Sequence, residues 1–375
     1  MMKRTIGIDC RLGGIAHAGI GRYVSELVQR VTKSTQEYNW VLFCTDKAQA
    51  TELLSGKTPN GSIRIVYAPI QQYSLAEQMV LPDIFNSVHI DLLHVPHFNV
   101  PILYNKPLVI TIHDLLWHEY RGTDVTTLNP LLYWPKYWAY RFVTQLAVTR
   151  ARKIFVPTQT VKDTVKKYYP SVDAKVVVTY EGIGTKLTTY APKVAPIKRE
   201  KKHLLYVGSL YPHKNISLVL TALQNMPEYV LEIVGSRNAF QDRIRAEVEE
   251  KGLTEQVLFS GRISDAALAT EYASTTALIQ PSLSEGFGLT GLEALAFNTP
   301  VIASDIPIFH EVYDTAAVYF DPYSAESFQK AVAEIEKPTT RATLQKNASV
   351  VRRRFSWDTL AAETLASYAE VVAKL

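Results

Sequence analysis

The sequence predicts two α/β domains, each a parallel, doubly wound sheet covered by helices. Three observations support this prediction. The chain has 375 residues, and at about 150 residues per domain this length suits two domains with separate hydrophobic cores. Short apolar runs alternate with helical patterns in both halves, as is typical of parallel sheets. Residues 186–202, rich in proline and basic side chains, interrupt the alternation and predict a linker.

The N-terminal half, residues 1–185, begins with a β-branched run at residues 5–10. A loop containing glycines follows at 11–21, and an amphipathic pattern predicts a helix at 22–31. Further strands are predicted at residues 40–44, 62–67, 91–95, 108–112 and 153–157.

The C-terminal half, residues 203–355, repeats the alternation. Strands are predicted at 203–207, 229–234, 257–259, 277–280 and 301–303, and helices at 216–224, 241–251, 268–273, 288–297 and 325–336. The tail, residues 356–375, predicts one long amphipathic helix. Because open parallel sheets bind ligands at the carboxyl ends of their strands, we expect a ligand in a cleft between the two domains.

Composition narrows the class of protein. With 47% hydrophobic and 20% charged residues, the chain has the make-up of a soluble globular protein. A net charge of +4 is too small to indicate a nucleic-acid partner. We find neither an apolar run of about 18 residues nor the long apolar core of a signal peptide. Cys10 and Cys44 form no disulfide framework, so we expect a cytoplasmic enzyme.

The segment 281–296 is the most informative for chemistry. It follows the predicted strand 277–280 and enters a helix at about Gly288. Gly286 and Gly288 let the backbone approach a ligand, and the first helical turn offers free N–H groups to an anion. Glu285 and Glu293 could accept hydrogen bonds from sugar hydroxyls. The alternative interpretation is a helix N-terminal charge for Glu285 and a solvated face for Glu293.

Lys214 follows another strand and glycine turn, at Gly208, and lies near the next helix start. A mobile ammonium at this position could neutralise a diphosphate as a point charge. The alternative is an exposed lysine in a turn, and the spacing alone does not decide between them.

Taken in order, these motifs resemble those of a large family, the retaining, nucleotide-sugar-dependent glycosyltransferases of the GT-B type, called group 1 or family 4. The N-terminal half looks most like bacterial mannosyltransferases of O-antigen and capsule assembly. The segments that carry the resemblance are Gly208 with Lys214 and Asn215, 259–263, 281–294, 299–305 and Glu311 in the C-terminal half, and 19–23, 94–98 and 111–114 in the N-terminal half.

The resemblance implies a GT-B fold with two Rossmann-like domains facing a central cleft, and a C-terminal helix that crosses back to the N-terminal domain. It implies that Glu285 contacts the donor sugar and that Lys214 neutralises the leaving diphosphate. The backbone of Gly286, Phe287, Gly288 and Leu289 would face sugar and diphosphate.

Other roles follow from the same resemblance. Glu293 would accept from the ribose hydroxyls, and the backbone at Arg262 and Ile263 would meet the base. Gly14 would approach the diphosphate from the opposite domain, and His113 would face the transferred sugar. We therefore take His113, Glu285 and Lys214 as the candidate catalytic residues.

The sequence departs from the family pattern at three places. Ser209, counted among the donor-binding positions, stands where many members carry arginine. Thr290 and His310 stand where prolines are frequent. Arg262, Arg237 or a residue of the N-terminal loop could supply the missing cation.

The activity implied is transfer of a sugar, mannose from GDP-mannose or else a sugar from a UDP donor, to a glycan or lipid-linked glycan, with no cofactor and no metal. A nucleotide-sugar epimerase and a catalytically silent nucleotide-sugar-binding or scaffold protein are the alternatives. A phosphorylase would need a pyridoxal lysine, for which the sequence has no motif.

Two further segments allow competing interpretations. Five histidines lie between residues 89 and 118, and His94 and His97 have the spacing of zinc ligands. We expect no metal there, because cysteine is lacking nearby and a proline separates the pair. Residues 131–142 hold six aromatic side chains with Lys136 and Arg141 among them, which suits either helix packing or peripheral contact with a membrane.

Overall fold

The computed structural model describes residues 3–34, 37–56, 61–122, 126, 129–191, 193–235 and 240–375. These residues divide into two compact units. The first holds Met1–Leu115, Leu131–Gly182 and Ser356–Leu375, and the second holds Leu116–Pro130 and Ile183–Phe355. The predicted N-terminal domain included residues 116–130, which the structure groups with the second unit.

The strands of the described residues form two parallel sheets. In the first unit they are β1 (Arg4–Asp9), β2 (Tyr38–Cys44), β3 (Ile63–Tyr67), β4 (Leu92–Val95), β5 (Leu108–Thr111), β6 (Ile154–Val156) and β7 (Val176–Val178). In the second unit they are β8 (Lys202–Val207), β9 (Tyr229–Val234), β10 (Val257–Gly261), β11 (Ala277–Gln280), β12 (Val301–Ser304) and β13 (Ala317–Phe320).

Helices connect the strands. In chain order they are α1 (Ala18–Val31), α2 (Lys47–Leu53), α3 (Leu75–Met79), α4 (Leu81–Asn86), α5 (Leu116–Glu119), α6 (Pro130–Arg150), α7 (Gln159–Tyr168), α8 (Thr185–Thr188), α9 (Ile216–Leu223), α10 (Gln241–Glu250), α11 (Asp265–Ser274), α12 (Leu289–Ala296), α13 (Pro307–Tyr313), α14 (Ala325–Ile335), α15 (Pro338–Val351) and α16 (Trp357–Val372). Within the described residues, none of these helices is both long enough and apolar enough to cross a membrane.

Both sheets follow the doubly wound pattern. The strand order is β3-β2-β1-β4-β5-β6-β7 in the first and β10-β9-β8-β11-β12-β13 in the second, with parallel pairing between β1 and β4 and between β11 and β8. The central strands are buried on both faces, because helices cover each side; β11 and β12 are buried at every position. The order reverses between β1 and β4, and again between β8 and β11. In such sheets a ligand binds outside the carboxyl ends of the strands at this reversal.

Several elements differ from the sequence-based expectations. The structure adds β7, β13, α13 and α15, which were not predicted, and a short helix, α8, at the start of the predicted linker. The final helix, α16, belongs to the first unit, where Arg30 forms an ion pair with Asp358 and Trp357 packs edge-to-face on Tyr23.

Candidate functional site

Two loops of the second unit meet at the carboxyl ends of β8 and β11, where the strand order reverses. The loop after β8 begins at Gly208 and passes close to Gly235, which follows β9. A Cβ added to Gly235 would lie 2.1 Å from the Gly208 carbonyl oxygen. The loop then forms a 3₁₀ turn ending at Lys214. Asn215 follows in the left-handed conformation (φ 57°), and its side-chain Nδ2 donates to Pro322 O at 2.8 Å. These contacts hold Lys214 at the edge of the sheet.

The loop after β11 requires a glycine at its junction with α12. Gly288 has φ of 91°, and a Cβ there would lie 2.4 Å from the Tyr313 hydroxyl oxygen. That hydroxyl donates to Gly288 O at 2.5 Å. The backbone before α12 is therefore fixed from behind, while the first amides of α12 keep the orientation that suits an anion.

Lys214 and Glu285 form an ion pair between these two loops, with 2.6 Å between Nζ and Oε1. Ser282 Oγ donates to the same carboxylate oxygen at 2.8 Å, and Leu283 N donates to His213 O at 2.7 Å. Burial favours the neutral form of Glu285, but the charge and hydrogen bond of Lys214, together with the Ser282 hydrogen bond, hold the pKa of this carboxyl below its usual range. The structure thus joins two predicted catalytic residues as a charged pair.

Phe287 and Glu293, both predicted to contact the donor, have buried side chains. Phe287 packs edge-to-face on Phe355, with 5.5 Å between ring centroids, so its backbone is the part that a ligand could reach. Glu293, inside α12, is 1% exposed and accepts from the Tyr272 hydroxyl at 3.2 Å. Its contact with ribose stays a prediction. Gly286 and Leu289, the other predicted backbone donors, are half-buried beside Gly288.

The predicted base-contacting residues follow β10, where Arg262 is exposed and Ile263 is half-buried. Ser209 is half-buried, and its carbonyl accepts from the Tyr206 hydroxyl at 2.5 Å. Arg237, a possible source of the missing cation, lies outside the described residues. In the described part of this site, Lys214 is the cation that contacts Glu285.

Sequence reasoning missed several residues that shape the site. Tyr313 fills the space beneath Gly288, Ser282 binds Glu285, and His213 stacks on Tyr211 with 5.9 Å between ring centroids. Burial, and then the charge of Lys214, lower the pKa of His213 to about 4. The position of His213 directly before Lys214 was a signal that could have drawn attention to it.

Two departures from the family pattern have local contacts of their own. Thr290, in the first turn of α12, accepts from Gln280 Nε2 at the end of β11. His310, in α13, stacks on Tyr319 with 3.9 Å between ring centroids and contacts Asp305 at 2.7 Å.

His113 lies in the first unit, two residues beyond the end of β5. Its Nε2 donates to Pro96 O at 3.2 Å, its Nδ1 lies 3.6 Å from Glu181 Oε1, and the Tyr23 ring packs against it edge-to-face at 4.7 Å. The imidazole is therefore held in one orientation from three sides. Glu181 was not foreseen from the sequence.

Gly14 lies in the loop after β1 with φ of 90°. Its amide donates to two acceptors of α1, Gly21 O and Ser25 Oγ, each at 3.2 Å. The Glu52 carboxylate accepts from Ile15 N at 2.7 Å and lies beside Gly14. The contact of Gly14 with a diphosphate stays a prediction, and in this conformation its amide is already hydrogen-bonded.

The paired histidines of the first unit are hydrogen-bonded within the protein. His94 lies between Tyr368 and Thr111, with Nδ1–Oη 2.5 Å and Nε2–Oγ1 2.9 Å, and burial lowers its pKa to about 3. His97 accepts from Asn99 N through Nδ1 at 3.2 Å. Among the residues that the structure describes, no group of three His, Cys, Asp or Glu side chains is arranged to hold a metal ion.

Two family models together match most of the chain. The model for family 4 glycosyltransferases matches residues 17–187, and that for glycosyl transferases group 1 matches residues 188–350. An O-antigen chain mannosyltransferase, RfbU of Salmonella typhimurium, is 32% identical over 242 residues, which are 64% of each chain. An O-antigen chain mannosyltransferase B of Escherichia coli is 28% identical over 173 residues, 44% of this chain and 45% of that one. The chain thus spans less than two thirds of the length of either relative.

Solved structures match over almost the whole chain. The sucrose-phosphate synthase of Thermosynechococcus elongatus superposes with a TM-score of 0.78 at 20% identity, covering 100% of both chains. WaaG, a glycosyltransferase involved in lipopolysaccharide biosynthesis, gives a TM-score of 0.72 at 15% identity over 96% of this chain and 98% of its own. At these identities the likeness concerns the fold, and it confirms the predicted GT-B class.

Proposed function

The chain belongs to the group 1 and family 4 glycosyltransferases, and from that premise we propose that it transfers a sugar from a nucleoside diphosphate donor to a hydroxyl of a glycan. The Lys214–Glu285 pair carries this proposal. It unites a cation and a carboxylate at the strand-order reversal of the second sheet, beside the first turn of α12. A diphosphate needs the cation and the helix N-terminal amides, and a sugar hydroxyl needs the carboxylate.

Lys214 would act on the departing diphosphate. As the sugar–phosphate bond breaks, negative charge grows on the leaving oxygens, and a preorganised ammonium together with helix N-terminal amides would stabilise that charge. Glu285 would then exchange its ion pair with Lys214 for hydrogen bonds to the donor sugar. We propose that this protein cation takes the place of a divalent ion, so that transfer needs no metal and no cofactor.

We propose that transfer retains the anomeric configuration. Glu285 accepts from both Lys214 and Ser282, and these partners reduce its strength as a nucleophile. The acceptor hydroxyl would therefore attack from the face that the diphosphate leaves. The new bond joins the acceptor oxygen to the anomeric carbon, the bond from that carbon to the diphosphate oxygen breaks, and the hydroxyl proton passes to the diphosphate.

We propose GDP-mannose as donor, with UDP-sugars as the alternative, and a growing lipid-linked glycan as acceptor. The similarity to two O-antigen chain mannosyltransferases supports mannose and a polysaccharide product. The nucleotide base would be contacted by the backbone at Arg262 and Ile263. Backbone contacts do not depend on side-chain identity, so the sequence does not reveal which base is bound.

Peripheral contact with a membrane would bring the enzyme to such an acceptor. Leu131, Trp134, Trp138 and Phe142 are exposed along one side of α6, with 82% exposure at Leu131 and 64% at Trp138. The spacing of three, four and four residues places them on one stripe. The helix contains basic residues and no acidic ones, so it suits a surface of anionic lipid.

The experiment is a transfer assay with each nucleotide sugar and a mannose-containing acceptor. Glu285→Ala should abolish turnover while leaving the circular dichroism spectrum unchanged, and an exposed glutamate, Glu255→Ala, is the matched control. Full activity in Glu285→Ala would reject the proposed role of this loop.

One observation favours a second candidate function, that of a nucleotide-sugar-binding protein without catalytic activity. Ser209 stands where a second phosphate-binding cation would be expected. Selective nucleotide binding without turnover of any donor would support this candidate, whereas interconversion of free nucleotide sugars would indicate an epimerase.

A further inference from the structure

A hollow of about 380 Å³ lies in the second unit, beside the last residue of α12 and the end of α15. Sites for small molecules enclose about 300–1,000 Å³, so this hollow has room for a ligand built on a single ring. Two arginines, two hydroxyl side chains and several apolar side chains line it, among them Arg352, Arg353, Thr188, Ser349, Ala191 and Ala296.

The charge of the hollow comes from two of three consecutive arginines at the end of α15. Arg352 is half-buried, and its Nη1 donates to Ala296 O at 3.2 Å. Its Nε is buried and has no hydrogen-bond acceptor among the described residues. Arg353 is exposed. In the part of the chain that the structure describes, neither arginine forms an ion pair, and no acidic side chain lines the hollow.

The third arginine of the run is engaged elsewhere. Arg354 Nη1 lies 3.1 Å from Asp314 Oδ2, and its Nη2 donates to Glu311 O at 3.2 Å. Arg354 does not line the hollow. Neighbouring side chains of the same type therefore differ in one respect: two face the hollow without a carboxylate partner, and one is paired outside it.

The helix ends at the hollow reduce its positive charge but do not cancel it. Both α12 and α15 end there, and a helix C-terminus carries about half a negative charge. Two arginines therefore leave a net charge of about +1. Guanidinium groups bind phosphate through paired N–H donors in a fixed plane, so this charge favours a phosphate group over a diffuse anion.

The hollow is separate from the two donor loops, those after β8 and β11. Lys214 and Glu285 do not line it. The helix α12 has eight residues and is about 12 Å long, with its first turn beside the Lys214–Glu285 pair and its last residue at the hollow. A ligand in the hollow thus leaves the donor loops open.

We propose that this hollow binds a small sugar phosphate, with Arg352 and Arg353 on the phosphate and the hydroxyl and apolar side chains beside the sugar ring. A phosphate monoester carries nearly two negative charges at neutral pH and offers three acceptor oxygens to the guanidinium groups. Ser349 Oγ donates to Lys346 O at 2.7 Å, so its lone pairs can accept from a sugar hydroxyl. This site goes beyond the proposed sugar transfer and does not depend on it.

The test measures binding of mannose 6-phosphate to the full chain by isothermal titration calorimetry at constant ionic strength. Methyl α-mannoside and inorganic phosphate are the partial ligands, each with one half of the contacts. We expect mannose 6-phosphate to bind at least about tenfold more tightly than either. No binding of mannose 6-phosphate, or equal affinity for mannose 6-phosphate and inorganic phosphate, would overturn the inference.

The run of three arginines supplies a matched control. Arg353→Gln should weaken mannose 6-phosphate binding by about tenfold or more, whereas Arg354→Gln, which removes an arginine paired with Asp314, should leave the affinity unchanged. Ser349→Trp, which fills the hollow, should also weaken binding, and Val350→Trp, at the exposed next position, should not. Equal losses in Arg353→Gln and Arg354→Gln would indicate a general effect of surface charge and reject the site.

Lys214→Met separates this site from the donor loops. It should lose the thermal shift with nucleotide and keep the affinity for mannose 6-phosphate, and Arg353→Gln should do the reverse. Loss of mannose 6-phosphate binding in Lys214→Met together with full binding in Arg353→Gln would place the sugar phosphate at the donor loops and contradict the inference. Absence of any nucleotide shift in the wild type would count against the proposed function alone and leave this site standing.

Discussion

Replacing Glu285 by glutamine should separate nucleotide binding from sugar transfer. In the structure Lys214 is held by the Glu285 carboxylate at 2.6 Å, so a diphosphate must compete with this carboxylate for the ammonium. Glutamine keeps the shape and one hydrogen bond but removes the charge. Lys214 then becomes easier to recruit, whereas the carboxylate needed for the donor sugar is lost.

The magnitude follows from the contact. The ammonium keeps its charge in Glu285→Gln, so its hydrogen bond to the amide oxygen stays charge-assisted, and the Coulombic attraction to the carboxylate is what is lost. Much of the Coulombic attraction is offset by desolvation of the two largely buried groups. A difference of about 1 kcal/mol remains, so a free nucleoside diphosphate should bind Glu285→Gln about fivefold more tightly than it binds wild type. Turnover of the nucleotide sugar should fall to background.

Isothermal titration with GDP, or with whichever nucleoside diphosphate binds, measures the first effect, and release of nucleotide from the donor measures the second. Lys214→Met is the reference for loss of the cation and should weaken binding. Glu255→Gln, an exposed site, should resemble wild type. If Glu285→Gln weakens nucleotide binding as Lys214→Met does, the hypothesis that the carboxylate and the diphosphate compete for Lys214 is wrong.

Three further outcomes are expected. Gly288→Ala should lower the free energy of unfolding by more than 2 kcal/mol, because about 1–2 kcal/mol of backbone strain at φ 91° adds to a clash with the Tyr313 hydroxyl. The control is Gly252→Ala, at φ 69° with no atom within 4 Å of an added Cβ. In the same denaturation assay it should show the backbone strain alone. Because the folded chain lowers the pKa of His213 to about 4, the unfolded chain binds the proton first as pH falls. The stability contributed by this group is therefore lost as pH falls from about 6.5 to 4, and about 2 kcal/mol of it is gone at pH 5. Urea denaturation at pH 7 and pH 5 should show a smaller loss of unfolding free energy in His213→Gln than in wild type. Trp138→Ser should reduce flotation with vesicles containing anionic lipid, while Val350→Ser, another exposed apolar site, should not; equal flotation of the two variants would reject the membrane surface on α6.

The sequence predicted the elements on either side of the loop after β11 well. The strand Ala277–Gln280 has the predicted bounds, and α12 begins one residue after the predicted start at Gly288. Such strand–glycine–helix junctions are written in consecutive residues, because the glycine, the apolar run and the helical period are all local signals.

The contacts across the sheet could not be predicted. Lys214 and Glu285 are 71 residues apart and meet because β8 lies beside β11, which depends on the strand order. Arg11, which follows β1, and Glu77, in α3, are 66 residues apart and also meet only in the folded first unit. The strand β7, three residues long, was not predicted, although β6 has the same length and was.

The measurement that tests the central claim most directly is a thermal-shift comparison of wild type and Lys214→Met with GDP, UDP, ADP and dTDP, each with and without EDTA. A ligand at about 100 times its Kd stabilises the folded chain by about 2.7 kcal/mol, which is readily detected. We expect one nucleotide to stabilise the wild type selectively, EDTA to leave that shift unchanged, and Lys214→Met to lose it. No shift with any nucleotide, or the same shift in both proteins, would contradict the assignment of the diphosphate to the Lys214–Glu285 pair.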